Sequence, residues 1–399
     1  MTYYLFVQLT IKIRGPFPTG GFHAGNIESS FGYAIDCKHF YRFFPLLLSI
    51  YFSNMSNRRE ITIYDIAEKL KLSAATVSRA LQNHPAVNKK TKKKILDLAE
   101  DLGYRTNHFA RNLRSQQSKT IGVLVHELNS NFITSVLAGI EKITTGEGYD
   151  LIIAHSSENL NQEKANVRNL FDKRVDGLIA SLSFETENLD HFSAFYEKGV
   201  PVVFFDRVEQ DGNRTVVVID NENCGYIATR HLIDQGCKRI AHITSTLKRN
   251  VYSQRFNGYK RALTSAKIPF QKDLLILEDL SQHAGVDAAE RILKLKPLPD
   301  GIFITNDFLA AVVIKTLKAK GFDVPGDIAV VGFNNDAIGE LIEPTLSTIN
   351  YPGQTMGEIA ARNLIDHLKG SSTLAQTSTI TVHSSLVIRE SSLKKNRKK

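Results

Sequence analysis

Residues Ile63-Tyr64-Asp65-Ile66-Ala67-Glu68-Lys69-Leu70-Lys71-Leu72-Ser73-Ala74-Ala75-Thr76-Val77-Ser78-Arg79-Ala80-Leu81 carry two apolar stripes at helical spacing, interrupted once. Thr62 and Asp65 form a capping box that opens the first helix, with Ile66, Ala67 and Leu70 on its inner face. Lys71 and Leu72 break it, and Ser73 caps a second short helix through Thr76, Val77, Ala80 and Leu81. Asn83, His84 and Pro85 make a loop. A third helix is predicted from Asn88 to Leu102, with Ile95, Leu98, Ala99 and Leu102 inward and Gly103 as its left-handed C-cap. Small Ala67 lets the second helix cross closely over the first, which is the geometry of a helix-turn-helix. With Val77 and Leu81 turned inward, Ala74, Ala75, Ser78 and Arg79 are expected to face out. Small residues and one arginine on an exposed helix suit a DNA major groove. Arg79 can fork onto guanine, Ala74 and Ala75 can lie against base edges or thymine methyls, and Ser73 and Thr76 can bond phosphates. The competing reading is a solvated three-helix cap on the rest of the chain.

The distribution of charge favours the first reading. The chain of 399 residues has a net charge of +9, yet residues 56–119 hold fourteen Lys/Arg against six Asp/Glu, a net of +8. The last six residues add +5, and residues 120–393 carry −6. An anionic polymer is therefore expected at the basic segment and different chemistry in the body. Lys89, Lys90, Lys92, Lys93 and Lys94 crowd the start of the third helix, where the macrodipole disfavours cations. A bound polyanion offsets that cost; a merely solvated face is the alternative. In the following stretch, Tyr104 to Ser115, Leu113 stands between Arg111 and Arg114, the composition of a minor-groove wedge or of a dimer contact in a hinge helix.

Beyond Thr120 the pattern changes to short β-branched runs at 121–125, 150–154, 176–181, 201–206, 215–219, 239–244, 274–277, 301–305 and 328–333, separated by amphipathic helices at 131–146, 160–173, 222–235, 251–266, 284–295 and 307–320. This alternation is the signature of parallel βαβ sheets, and so many strands imply two doubly wound lobes facing a cleft. The fold class is therefore α/β: a helix-turn-helix headpiece and hinge followed by a two-lobed body of parallel sheets. The 42% hydrophobic content suits a folded protein rather than a disordered one. Cys37, Cys224 and Cys237 have no zinc-like spacing and favour a reducing compartment, the cytoplasm. No apolar run is long enough to span a bilayer, and no secretory signal is evident. Residues 1–54 lack helical or strand periodicity and precede Met55, which is the expected start of translation; a membrane- or partner-binding arm is the alternative.

Motifs spread along the chain resemble the lactose/galactose repressor (LacI/GalR) family of bacterial transcription regulators. They are Thr76-Val77-Ser78-Arg79-Ala80-Leu81, Gly103-Tyr104, Ala110-Arg111-Asn112-Leu113-Arg114, the run from Val200 to Arg207, Arg255-Phe256-Asn257-Gly258-Tyr259, Thr305-Asn306-Asp307 and Val330-Val331-Gly332-Phe333. The resemblance covers about residues 60–390 and leaves 1–54 without a counterpart. It implies a homodimer, with tetramers left open, whose headpieces at 55–105 read the halves of a near-palindromic double-stranded operator. Hinge helices within 106–119 would order on DNA and push Leu113 into the central minor-groove step. The DNA-facing set carried over is Thr62, Tyr64, Ser73, Ala74, Ala75, Thr76, Ser78, Arg79, Tyr104, Asn107, Ala110, Leu113 and Arg114.

In the body, at 120–390, the resemblance implies a small-molecule effector, a sugar or sugar derivative, between the lobes. Lobe one is expected at 120–219 with 351–372, lobe two at 220–350 with 373–390, and a basic tail at 391–399. The carried-over effector residues are Phe132, Asp206, Arg207, Arg255, Asn306, Asp307 and Asn334. They suit a polyol: Arg255 donates in a fork, Asp206 accepts, Asn306 does both, and Phe132 covers an apolar face. Two structural alternatives stay open: Asp307 capping the next helix, and Asp206 pairing with Arg207. The family usually has Asp in the turn after Val-Gly-aromatic, where this chain has Asn334 and Asn335 before Asp336. No nucleophile elbow, phosphate-binding glycine loop, dinucleotide fingerprint or zinc-protease helix is present, so neither an enzyme nor a cofactor or metal site is expected. A periplasmic sugar-binding protein shares the two-lobe body but has no use for the headpiece.

Overall fold

The computed structural model describes residues 60–104, 117–209, 214–372, 374 and 379–394. They fall into two units, one ending at Asn107 and the other starting at His108. The N-terminal segment 1–54, Met55, and hinge residues Asn107, Ala110, Leu113 and Arg114 lie outside the described residues.

The first unit has three helices, α1 (Ile63–Leu70), α2 (Ala74–Leu81) and α3 (Lys89–Asp101). The Thr62 backbone N–H and hydroxyl both donate to Asp65 Oδ2, at 2.7 and 2.6 Å, which fixes the entry to α1. Lys71 ends α1 in a left-handed conformation, and Ser73 Oγ accepts from Thr76 N to open α2. Ile66, Val77, Ala80 and Ile95 are fully buried where the helices meet, with Ala67 and Ala99 beside them. The periodicity read from the sequence therefore locates this small core correctly.

The second unit contains two sheets of six strands each. Sheet one is built from β1 (Thr120–Val125), β2 (Asp150–His155), β3 (Gly177–Ala180), β4 (Val202–Phe205), β5 (Thr215–Ile219) and a late strand, Thr379–Val382. Its helices are α4 (Asn131–Gly146), α5 (Leu160–Asp172) and α6 (Ser193–Glu197). Sheet two is built from β6 (Ile240–Thr244), β7 (Leu275–Leu277), β8 (Gly301–Ile304), β9 (Ala329–Asn334), β10 (Ser347–Asn350) and a closing strand, Leu386–Val387. Between them run α7 (Asn221–Asp234), α8 (Asn250–Ser265), α9 (Gln282–Lys294), α10 (Asp307–Ala319) and α11 (Ile338–Leu341), while α12 (Gly353–Leu368) returns to sheet one. In chain order the two late strands are β11 and β12.

The spatial orders, β2-β1-β3-β4-β5-β11 and β7-β6-β8-β9-β10-β12, repeat one doubly wound topology. All pairings are parallel except β10 with β12. Strands such as Val202–Phe205 and Thr215–Ile219 are buried at every position, as a parallel sheet covered on both faces requires. One expected boundary is corrected. Residues 379–382 do not belong to lobe two: β11 pairs in parallel with β5, Thr379 opposite Val216 and Val382 opposite Ile219. The chain thus crosses between lobes three times, after β5, β10 and β11, and only then does β12 join lobe two.

Glycines decide how closely the helices approach. A Cβ on Gly258 of α8 would sit 2.0 Å from Glu222 O and 2.6 Å from Tyr226 N of α7, and one on Gly225 of α7 would meet Arg255 O at 2.2 Å. These neighbours are backbone and cannot rotate away. Gly258→Ala should therefore destabilise lobe two by about 3 kcal/mol or more, at the upper end of overpacking costs. The measurement is the urea midpoint, and an unchanged midpoint rules out this close crossing.

Candidate DNA-binding and effector sites

On the headpiece, Tyr64 is 70% exposed, and Ser73, Ala75 and Arg79 are also exposed. Thr76 and Ser78 are half-buried, with the Thr76 and Ser73 hydroxyls 2.8 Å apart. Two expectations need correction. Ala74 does not face out freely but packs against the three-helix core, because it begins α2 where that helix turns over α1. Thr62 has its hydroxyl committed to Asp65, so closing the first turn is its clear role. Tyr104 also packs on this core, and its N–H donates to Ala99 O at 2.8 Å. Lys89, Lys90, Lys93 and Lys94 are exposed and Lys92 is half-buried. Asn88 Oδ1 accepts from Lys90 N, so the helix start that bears them is capped by a neutral side chain.

In the body, the loops leaving the C-terminal ends of the strands in both sheets converge on a cleft of about 910 Å³. This is where an open α/β sheet places a ligand, at the switch point between its first and third strands. Phe132, Asp206, Arg207, Arg255, Asn306 and Asn334 all line it, as expected. Asp307 does not. It is fully buried below the cleft, where Oδ2 accepts from Asp336 N at 2.8 Å and Oδ1 accepts from the Thr348 hydroxyl at 2.7 Å. The helix cap is Asn306, whose Oδ1 accepts from Leu309 N at 2.9 Å.

The two arginines are held by different means. Arg207 donates from Nη1 to Glu158 Oε1 at 2.6 Å and from Nη2 to Tyr252 Oη at 3.2 Å, with its guanidinium 4.1 Å from the centre of the Phe184 ring. Arg255 donates from Nε to Asn221 Oδ1 at 2.8 Å, and its guanidinium stacks 3.6 Å from the Phe333 ring centre. Asp206 has φ 60 and accepts from the Tyr351 hydroxyl. Its prominent hydrogen-bonding partner is thus Tyr351 rather than Arg207. Burial pushes the Asp206 carboxyl above the usual carboxylate range, with nearby Arg207 opposing the shift. Phe132 stacks on Tyr351, ring centres 4.0 Å apart.

Reading motifs in the sequence missed Glu158, Phe184, Tyr252, Asp336 and Tyr351. They stand just past strand ends or on the helices that follow, so their position relative to a strand was the available signal. Asp336 matters most: the carboxylate absent from position 334 is supplied two residues on, and Asn334 Nδ2 donates to Asp336 Oδ2 at 3.3 Å. The left-handed backbone at Asn334 (φ 124) and Asn335 (φ 61) explains why amides occupy that turn. A further lobe-to-lobe bond lies beside the cleft, where Arg249 Nη2 donates to Thr186 O and to Glu209 Oε1.

Asp307 yields a pH prediction. Burial pushes its carboxyl up to about 7, from an ordinary 3.8. The folded state therefore binds this proton more tightly than the unfolded chain, so its stabilising contribution is full below about pH 4 and is lost as pH rises to about 7. Asp307→Asn, an isostere of the protonated carboxyl, should stay close to wild type near pH 4, be the more stable of the two above about pH 7, and flatten the fall between those pH values. Denaturation midpoints across that range provide the check, and an unaltered slope contradicts the assignment.

Residues 62–107 match the profile described as bacterial regulatory proteins, lacI family, and residues 229–392 match a periplasmic binding protein-like domain. Catabolite control protein A of Priestia megaterium is 33% identical over 309 residues, covering 77% of this chain and 92% of that protein. The chain belongs to the lacI family of bacterial regulatory proteins. As a lacI-family member it is a DNA-binding transcription regulator with a small-molecule effector domain. The HTH-type transcriptional repressor PurR of Proteus mirabilis is 32% identical over 333 residues, 83% of this chain and 96% of that one. Among solved structures, the transcriptional regulator CelR–cellobiose complex superposes with a TM-score of 0.63 at 26% identity, covering 83% of this chain and all of that one. The lac repressor dimer bound to operator and the anti-inducer ONPF gives a TM-score of 0.76 at 24% identity over 84% of this chain and all of that one, which speaks for the fold. No helix among the described residues is long and apolar enough to cross a membrane.

Proposed function

We propose that this lacI-family protein is a cytoplasmic, dimeric repressor of carbohydrate-utilisation genes, reading a near-palindromic operator and answering to a sugar or sugar derivative in the inter-lobe cleft. The observation that carries this reading is the pairing, in one chain, of an exposed helix face bearing Arg79 with a cleft lined by Asp206, Arg255 and stacked aromatic rings. On the headpiece Tyr64, Ser73, Ala75, Thr76, Ser78 and Arg79 face the operator, Arg79 on a base edge and the hydroxyls on phosphates. Tyr104, Asn107, Ala110, Leu113 and Arg114 continue the contact toward the minor groove. In the cleft Arg255 and Asp206 orient ligand hydroxyls, Asn306 and Asn334 add polar contacts, and the ring of Phe132 covers an apolar face. The CelR structure is a complex with cellobiose, which supports a sugar as the class of ligand. A ligand that favours one lobe angle over another shifts the population of the DNA-binding state by its differential affinity.

The test is Arg79→Ala. It should cost about 1 to 3 kcal/mol of operator discrimination, read as anisotropy titrations against single-base variants of the operator. An unchanged base preference sinks the placement of α2 in the groove.

A further inference from the structure

We propose that the cleft takes an uncharged polyhydroxyl ligand and rejects its phosphorylated counterpart; this rests on reading the cleft as the effector site. Five carboxylates line it, Glu127, Glu158, Asp206, Asp279 and Asp336, against two guanidiniums, Arg207 and Arg255. Two histidines, His126 and His155, also line it; burial holds His126 well below its ordinary value and pushes Glu158, Asp206 and Asp336 up, so the excess of carboxylates is one of number rather than of full charge.

Neither guanidinium is presented as an anion clamp. Arg207 already has a carboxylate partner in Glu158 at 2.6 Å, and one face of its fork lies on Phe184. Arg255 is fixed by Asn221, by Thr305 O at 3.4 Å and by stacking on Phe333. A bidentate grip on phosphate needs two parallel N–H groups of one guanidinium free together. Each guanidinium has two of its five N–H groups engaged within the protein, at Nη1 and Nη2 of Arg207 and at Nε and Nη1 of Arg255, and Arg207 already has a carboxylate as its counter-ion.

Helix N-termini are the remaining source of positive potential. The first turns or caps of α4, α8, α9 and α10 reach the cleft through residues such as Ser130, Tyr252, Ser281 and Asn306. At about half a positive charge each they would contribute roughly two charges, which leaves the carboxylates in excess. Three of these ends have one N–H each taken by their own cap: Ser130 accepts from Ile133 N, Ser281 from Ala284 N and Asn306 from Leu309 N.

What remains suits a neutral sugar. Carboxylate oxygens accept from hydroxyls, and the rings of Phe132, Phe184, Tyr252, Phe308 and Tyr351 offer apolar faces. Asp336 is the carboxylate best placed to set the selectivity. Its backbone N–H is anchored on Asp307, and its side chain lies beside Asn334 at the cleft wall.

The experiment is calorimetric titration of the full chain with matched pairs: glucose and glucose 6-phosphate, trehalose and trehalose 6-phosphate, cellobiose and cellobiose 6-phosphate. In a pair that binds, the neutral member should be at least tenfold tighter, and Asp336→Asn should narrow that ratio. A phosphate ester that binds as tightly as its neutral partner overturns the charge assignment while leaving the effector reading standing. A ratio unmoved by Asp336→Asn removes that residue's part in the selectivity. If no member of any pair binds, the proposal and the sugar-effector reading fall together.

Discussion

Raising the salt from 50 to 200 mM should weaken operator binding by roughly a thousandfold, the loss expected when about six phosphates are neutralised. The source is the basic stretch 56–119, with its net charge of +8, and in particular the exposed lysines on the first turns of α3. Each lysine that meets a phosphate releases condensed counterions, so log K falls linearly with log salt at a slope of about −0.9 per contact. The same lysines oppose the helix dipole in the free protein, by roughly 0.3 to 1 kcal/mol each near the end at low salt. Replacing Lys89, Lys90 and Lys93 together by Gln should therefore reduce the salt slope by up to about three while modestly stabilising the free headpiece. A plot that is flat for the wild-type chain contradicts phosphate contacts here. A slope unchanged by the triple replacement moves those contacts elsewhere.

Arg255→Ala should leave operator binding near wild type and abolish the effector response. The truncation removes a buried, oriented donor from the cleft wall and strands Asn221 Oδ1, which has lost its partner. Removing one partner of a desolvated charged contact between protein and ligand costs about 2 to 5 kcal/mol, so loss of the donor that Arg255 offers the effector should lower its affinity at least ~30-fold. Arg255→Lys is the informative companion, because it keeps the charge but loses the planar fork that stacks on Phe333. Both variants are read by thermal shift with the best sugar ligand and by operator release with that ligand. Intact operator binding in the absence of ligand shows that the headpiece is folded. A normal release curve for Arg255→Ala would place the effector elsewhere.

The headpiece was legible because its signals are local. The capping box at Thr62 and Asp65, the cap at Ser73, and the inward spacing of Ile66, Val77, Ala80 and Ile95 all act within a few residues. Most body strands were equally plain, since strands buried on both faces are written as apolar runs such as Val202–Phe205. Ser347–Asn350 and Thr379–Val382 were not, because they are short and half polar and are strands only by virtue of the neighbours that bond them.

The cleft divides in the same way. Asp206, Arg255 and Asn334 could be named from motifs, but motif matching also placed Asp307 in the ligand space when its bonds to Asp336 and Thr348 make it a buried support. Residue order determined most elements of this protein, its basic N-terminal segment and the kinds of side chain available to a ligand, because propensity, capping and charge act over a few residues. Only the tertiary structure decided that Glu158 engages Arg207, that Tyr351 engages Asp206, that Asp336 stands in the cleft and that β11 belongs to lobe one. Tyr351 and Asp206 lie 145 residues apart, and a hydrogen bond is made only where the fold brings its two ends within about 3 Å.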